Sequence, residues 1–133
     1  MESPGAPAVA GPLVLVVDDD ELVCEYMARA LRNDGHHVLV AHDVLAAWEV
    51  VESRAGALHL VVTDVNMPGL SGIELVARIK QRWPRLPVLY VTGRELPPDA
   101  PDAPRLRKPF TPAVLAAQAR ALMAQGGLTQ ART

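Results

Sequence analysis

The chain has a single cysteine, Cys24, so no internal disulfide can form. It also lacks a dominant charge. The formal net charge is -2, which leaves no electrostatic footprint for nucleic acid and no pull toward anionic lipid, so direct nucleic-acid binding is not expected. No apolar run reaches the length that spans a membrane. The start Met1-Glu2-Ser3-Pro4 has neither the basic nor the apolar region of a signal peptide. A cytoplasmic protein without membrane insertion is therefore expected. No repeat or low-complexity tract points to a solenoid.

What the chain does have is apolar material, at 50% of its 133 residues. One domain is expected at this length, able to bury about two thirds of the surface that its unfolded form exposes. Met1 to Pro12 is rich in Pro, Gly and Ala, and Gln125 to Thr133 carries Gly126-Gly127 without an apolar period. Both are expected to be loose tails, leaving a domain over residues 13–124.

Within that domain short apolar runs alternate with helix-like segments. Leu13-Val17 reads as a buried strand. The next segment places Val23, Tyr26, Met27, Ala30 and Leu31 on one helical face before Gly35 stops it. His37-Ala41 is a second strand, followed by a helix capped by Asp43 and carrying Leu45, Ala46, Val50 and Val51. Leu58-Thr63 is a third strand. Ser71 and Glu74 have capping-box spacing ahead of Leu75, Val76 and Ile79, and Pro84 ends that helix near Trp83. Pro87-Val91 is a fourth strand and Arg105-Arg107 a fifth. Between them the proline-rich stretch Leu96 to Pro104 cannot hold a regular helix, so this crossover is expected to be a loop or one short turn. Thr111-Pro112 opens a last helix through Leu115 and Leu122.

This alternation predicts an α/β fold with a doubly wound, five-stranded parallel sheet. The strand order 2-1-3-4-5 is taken from known flavodoxin-like sheets rather than derived from the residues. It sets strands one and three side by side. Asp18, Asp19, Asp64, Thr92 and Lys108 would then line one mouth at the carboxyl ends of the strands, where such sheets bind ligands. Three carboxylates about 5 Å apart repel by about 3 kcal/mol per pair at an effective dielectric of 20, so the cluster needs a cation or raised pKa values. Oxygen-only ligands suit Mg²⁺. A purely structural reading has Asp18 to Asp20 capping the first helix. That accounts for Asp20 but leaves two acids at a buried strand end unexplained.

The segments Val16-Val17-Asp18-Asp19-Asp20-Glu21, Thr63-Asp64-Val65-Asn66-Met67-Pro68-Gly69, Val91-Thr92-Gly93 and Lys108-Pro109-Phe110 resemble the receiver domain of two-component response regulators. The resemblance spans about Leu13 to Met123 and implies a role for each matching residue. Asp64 would be the phosphoacceptor, and Asp18 and Asp19 the acidic pair. Asp19, Asp64 and the Asn66 backbone carbonyl would hold Mg²⁺, with Asp18 beside them. Thr92 and Lys108 would contact the phosphoryl group, and Lys108-Pro109 would be a cis peptide. A histidine kinase or histidine phosphotransfer protein would dock on the exposed side of the first helix, around Asp20, Glu21, Cys24 and Ala28.

The chain departs from the family pattern in one region. Arg105 stands where receivers commonly carry an aromatic switch residue, three positions before the lysine, and the fourth helix is eroded. The chain resembles atypical stand-alone or hybrid-kinase receivers, expected to be a monomer or weak dimer. Output would pass to a downstream protein partner or by onward phosphotransfer. No separate substrate, and hence no enzyme activity, is expected. Two alternatives stay open. Asp18-x-Asp20 also resembles the nucleophile motif of haloacid-dehalogenase phosphatases, with Asp18 as nucleophile, and a receiver-like module could bind partners without phosphorylation.

Overall fold

The computed structural model describes residues 11–67, 69 and 71–131. Its elements in chain order are β1 (Leu13–Val17), α1 (Glu21–Asn33), β2 (His37–Ala41), α2 (Val44–Arg54), β3 (Leu60–Asp64), α3 (Gly72–Arg82), β4 (Val88–Thr92), β5 (Arg105–Arg107) and α4 (Pro112–Ala131). The strands form one sheet in the order β2-β1-β3-β4-β5, and every pairing is parallel. This is the flavodoxin-like arrangement expected.

A parallel sheet covered on both sides needs strands that are apolar on both faces. Here β1, β3 and β4 supply them, and residue alternation sorts two cores. Leu15, Val17, Val61, Val88 and Tyr90 face α2 and α3. Val14, Val16, Leu60, Val62, Leu89 and Val91 face α1 and α4. Each fully buried aliphatic side chain contributes about 1.5–3 kcal/mol relative to exposure, so these rows dominate the stability.

Helix starts follow the capping chemistry. Asp20 accepts hydrogen bonds from the Leu22 and Val23 amides, and Asp43 from that of Ala46. Ser71 and Glu74 form a reciprocal capping box on α3. The Thr111 hydroxyl accepts from the Val114 amide at the head of α4. Among the described residues no helix lies between β4 and β5. The loop instead lays Leu96 and Ala103 against the α2/α3 core, and the buried Tyr90 hydroxyl donates to the Pro101 carbonyl at 3.1 Å.

Several expectations require correction. On α1 the buried face is Cys24, Met27, Ala28, Ala30 and Leu31, whereas Tyr26 is exposed and Val23 only half-buried. Small side chains at Cys24 and Ala28 let the helix settle close on Val14 and Val16, which turns Tyr26 to the rim. There its hydroxyl donates to the Phe110 carbonyl at 2.8 Å. On α2 the inward residues are Val44, Ala47 and Val51, and Leu45 is exposed. Strand β3 begins at Leu60 rather than Leu58 and includes Asp64, and β4 is shifted by one residue to Val88–Thr92. Helix α4 runs to Ala131, beyond the expected boundary at residue 124. Gly126-Gly127 costs about 1 kcal/mol per residue relative to alanine, a penalty that a helix already seven-tenths built can carry. The expected amino-terminal tail lies mostly outside the described residues. No helix among the described residues is long and apolar enough to cross a membrane.

Candidate functional site

Register alone delivers the acidic residues to one place. Val17 pairs with Thr63, so Asp18 and Asp64 follow as neighbours where β1 and β3 end. Asp64 pairs with Val91, and Thr92 with Arg107, so Thr92 and Lys108 emerge at the same edge. Two further backbone bonds hold the strand ends in line, from the Asp18 amide to Ala41 O at 3.1 Å and from the Lys108 amide to Thr92 O at 2.9 Å. The Lys108-Pro109 peptide is cis, as the resemblance implied.

Asp18, Asp19 and Asp64 each offer a carboxylate oxygen, and these lie within 4.8 Å of one another. Lys108 Nζ bridges two of them, at 3.2 Å from Asp18 Oδ2 and 3.3 Å from Asp64 Oδ1. The side chains of Asp18 and Asp64 are 1% and 8% exposed, while Asp19 faces solvent. Burial raises the Asp64 pKa above its ordinary value, the Asp18 charge raises it further, and Lys108 partly offsets both. Burial works against the Lys108 ammonium, but the Asp18 and Asp64 carboxylates outweigh it and raise its pKa. This is a pocket with more negative charge than its lysine neutralises. A hard oxygen donor set of this kind fits Mg²⁺, through one or two carboxylates plus carbonyl and water oxygens.

Thr92 is buried beside this cluster, and its hydroxyl donates to Arg94 O and accepts from the Arg94 amide, both at 3.0 Å. Asn66 lies exposed in the loop that leaves β3. Asp20 is exposed, and its Oδ1 accepts from the Leu22 and Val23 amides and so caps α1. Glu21 is exposed in the first turn. Cys24 and Ala28, expected on an exposed docking face, are each only 1% exposed. Cys24 Sγ lies 3.9 Å from Val16 O, and burial followed by the Asp18 charge pushes its thiol up to about 11. A thiol so placed is neither a docking contact nor a reactive group at neutral pH.

Three site-building features were not recognised from sequence. A Cβ on Gly72 would collide with the Asp64 carbonyl oxygen, so only glycine lets the head of α3 approach the strand end. The signal was a glycine following the Ser71 cap, where a better helix former is usual. The Thr63 hydroxyl donates to Asp64 O at 2.9 Å, and His42 Nδ1 lies 3.2 Å from Asp18 O. These depend on tertiary contact and leave no local pattern.

Residues 14–120 match the response regulator receiver domain. The chain belongs to that family, the class to which the sheet order and the acidic mouth already point. Response regulator MprA of Mycobacterium ulcerans is 38% identical over 117 residues, an alignment covering 83% of this chain and 49% of that protein. MprA of Mycobacterium tuberculosis H37Rv is also 38% identical over 117 residues, with 83% and 50% covered. The chain spans about half the length of the curated relatives it matches. Among solved structures, the receiver domain of the hybrid histidine kinase CckA is 31% identical with a TM-score of 0.74, covering 84% of this chain and 98% of that one. A receiver domain protein from Clostridium thermocellum is 26% identical with a TM-score of 0.80, covering 89% and 98%.

Proposed function

We propose that Asp64 accepts a phosphoryl group from a phosphohistidine on a histidine kinase or histidine phosphotransfer protein. The observation that carries this reading is the Lys108 ammonium set between Asp18 and Asp64 in a mouth that also holds Asp19 and Thr92. The residues that would hold Mg²⁺ are Asp19, Asp64 and the Asn66 carbonyl, with Asp18 alongside. When bound, the ion supplies positive charge that offsets the carboxylate and the incoming phosphoryl oxygens.

The chain's own residues account for the rest. The Asp64 carboxylate oxygen forms a bond to phosphorus as the phosphorus–nitrogen bond of phosphohistidine breaks, and the donor imidazole leaves with the electron pair. Lys108 loses its Asp64 partner and pairs with the new phosphoryl oxygens. Thr92 gives up the Arg94 carbonyl and donates its hydroxyl to the same group. The Arg94 backbone, released from Thr92, moves with the loop that replaces a fourth helix, and that change is the signal. The side chain at position 105 is an exposed arginine, so a buried aromatic rotamer plays no part. Output passes to a protein partner or onward by phosphotransfer, and no separate substrate is turned over. Docking uses the exposed Asp20 and Glu21 at the head of α1. Against the phosphatase alternative, Asp20 Oδ1 serves as the cap of α1.

Intact-mass analysis after incubation with acetyl phosphate tests the proposal. One phosphoryl adduct that needs Mg²⁺ and is absent in Asp64→Asn is the expected result. An adduct lost in Asp18→Asn but retained in Asp64→Asn overturns it, and no adduct at all favours a phosphorylation-independent module.

A further inference from the structure

The opposite end of the sheet carries a second polar cluster of the other sign. A cleft of about 620 Å³ opens at the amino ends of β1 and β2, lined by Arg32, His36, His37, Leu39, Arg54 and His59 among others. Its size falls within the usual range for small-molecule sites. The apolar part of the wall comes from Leu13, Val38, Leu39 and Ala57, and the polar part is entirely arginine and histidine.

Part of this has a structural explanation. Arg32 and Arg54 are the last-turn cations of α1 and α2, where they complement carbonyl ends worth about half a negative charge each. Arg32 is further used, donating from Nη2 to Val38 O at 3.0 Å. Two arginines against two helix ends still leave a net charge of about +1 in the cleft. Arg54 has no side-chain hydrogen bond or ion pair among the described residues. His59 Nδ1 accepts from the Leu13 amide at 3.1 Å, which leaves its Nε2 as the protonated donor.

His36 forms part of the cleft wall. Its side chain is 6% exposed, yet neither ring nitrogen has a hydrogen-bond partner. Nε2 lies 3.4 Å from Asp34 Oδ2 without hydrogen-bond geometry, and Asp34 is already engaged by Arg120 Nη1 at 2.6 Å. Both ring nitrogens are closed off from the cleft, so His36 shapes its wall and does not bind within it.

We infer that this cleft binds a small oxyanion, a carboxylate or a phosphate ester, carried on an apolar body. Arg54 supplies the charge-assisted bond, His59 Nε2 supplies a second donor, and Leu39 with its apolar neighbours packs the body. The site lies at the opposite strand ends from Asp64 and is independent of the phosphoacceptor reading.

The test is an NMR titration of the full chain, without Mg²⁺, using phenyl phosphate and benzoate as separate probes. The expected result is a saturable shift of the His59 imidazole signals and the Leu39 amide with at least one probe. Affinity should fall about tenfold or more in Arg54→Gln and be largely kept in Arg54→Lys. Arg54 is exposed, so both variants should fold as the wild type does. Binding of phenyl phosphate alone assigns phosphate esters, and binding of benzoate alone assigns carboxylates. No saturable shift at about 20 mM of either probe, an affinity too weak to be specific, overturns the inference. So does unchanged affinity in Arg54→Gln, or shifts confined to the Asp64 mouth.

Discussion

Replacing Lys108 with methionine keeps most of the side-chain stem and removes the cation that bridges the buried Asp18 and Asp64 carboxylates. Asp18 and Asp64 are 1% and 8% exposed, and oxygens of the acidic cluster lie within 4.8 Å of one another. At an effective dielectric of 20 that separation corresponds to a repulsion of about 3.5 kcal/mol. Breaking a buried ion pair by removing one partner costs about 3–5 kcal/mol, and the 29% exposure of Lys108 reduces this to about 2–3 kcal/mol. The loss depends on pH in a defined direction. Asp64 already titrates above its ordinary 3.8 because of burial and Asp18, and loss of Lys108 raises it further. The folded variant then holds a proton that the unfolded chain has released. Its stability therefore falls as pH rises from the unfolded value through the raised folded one, and the deficit against wild type is smaller at about pH 4 than at about pH 8. Urea unfolding without Mg²⁺ reads this as a midpoint lowered by about 1–2 M at pH 8, taking a slope of about 1.5 kcal/mol per molar. Mg²⁺ at a hundredfold excess over its Kd should return about 2.7 kcal/mol. An equal loss at both pH values would mean that packing of the stem, not charge, was removed, and the reasoning would fail.

Gly72→Ala should destabilise the chain by about 1–3 kcal/mol and cut the rate of phosphoryl uptake, because the new methyl group displaces the Asp64 backbone. Wild-type uptake in a folded Gly72→Ala variant would count against this. Charge reversal at the exposed Glu21 should slow phosphotransfer from the cognate donor about tenfold while leaving uptake from acetyl phosphate unchanged. Undiminished transfer would remove α1 from the docking surface. Beryllofluoride should slow amide exchange in residues 93–104 as Thr92 and Arg94 reorganise, and unchanged exchange there would show that the loop carries no signal.

The sheet was legible because β1, β3 and β4 are dominated by β-branched residues and leucine, and the site was legible because its residues stand at or just past the ends of those runs. Helix starts were legible where Asp20, Asp43 and Ser71 carry the capping bonds. Helix rotation was not. On α1 the apolar period can be drawn through Val23 and Tyr26 or through Cys24 and Ala28, and only close packing on the sheet selects the smaller pair. Leu45 misleads for the same reason, since α2 is apolar on most sides. The end of α4 was hidden by two glycines that weaken a helix without ending it. Gly72 and the arginine–histidine cleft are products of segments meeting from different parts of the chain, and no local period announces such a meeting.

The central claim is that the phosphoryl group resides on Asp64 and on no other carboxylate of the mouth. Borohydride reduction of the acetyl-phosphate-treated protein converts an aspartyl phosphate to homoserine, and peptide mass spectrometry then locates it. Homoserine at position 64, formed only with Mg²⁺, is the predicted result, and homoserine at position 18 or 19 would contradict the account.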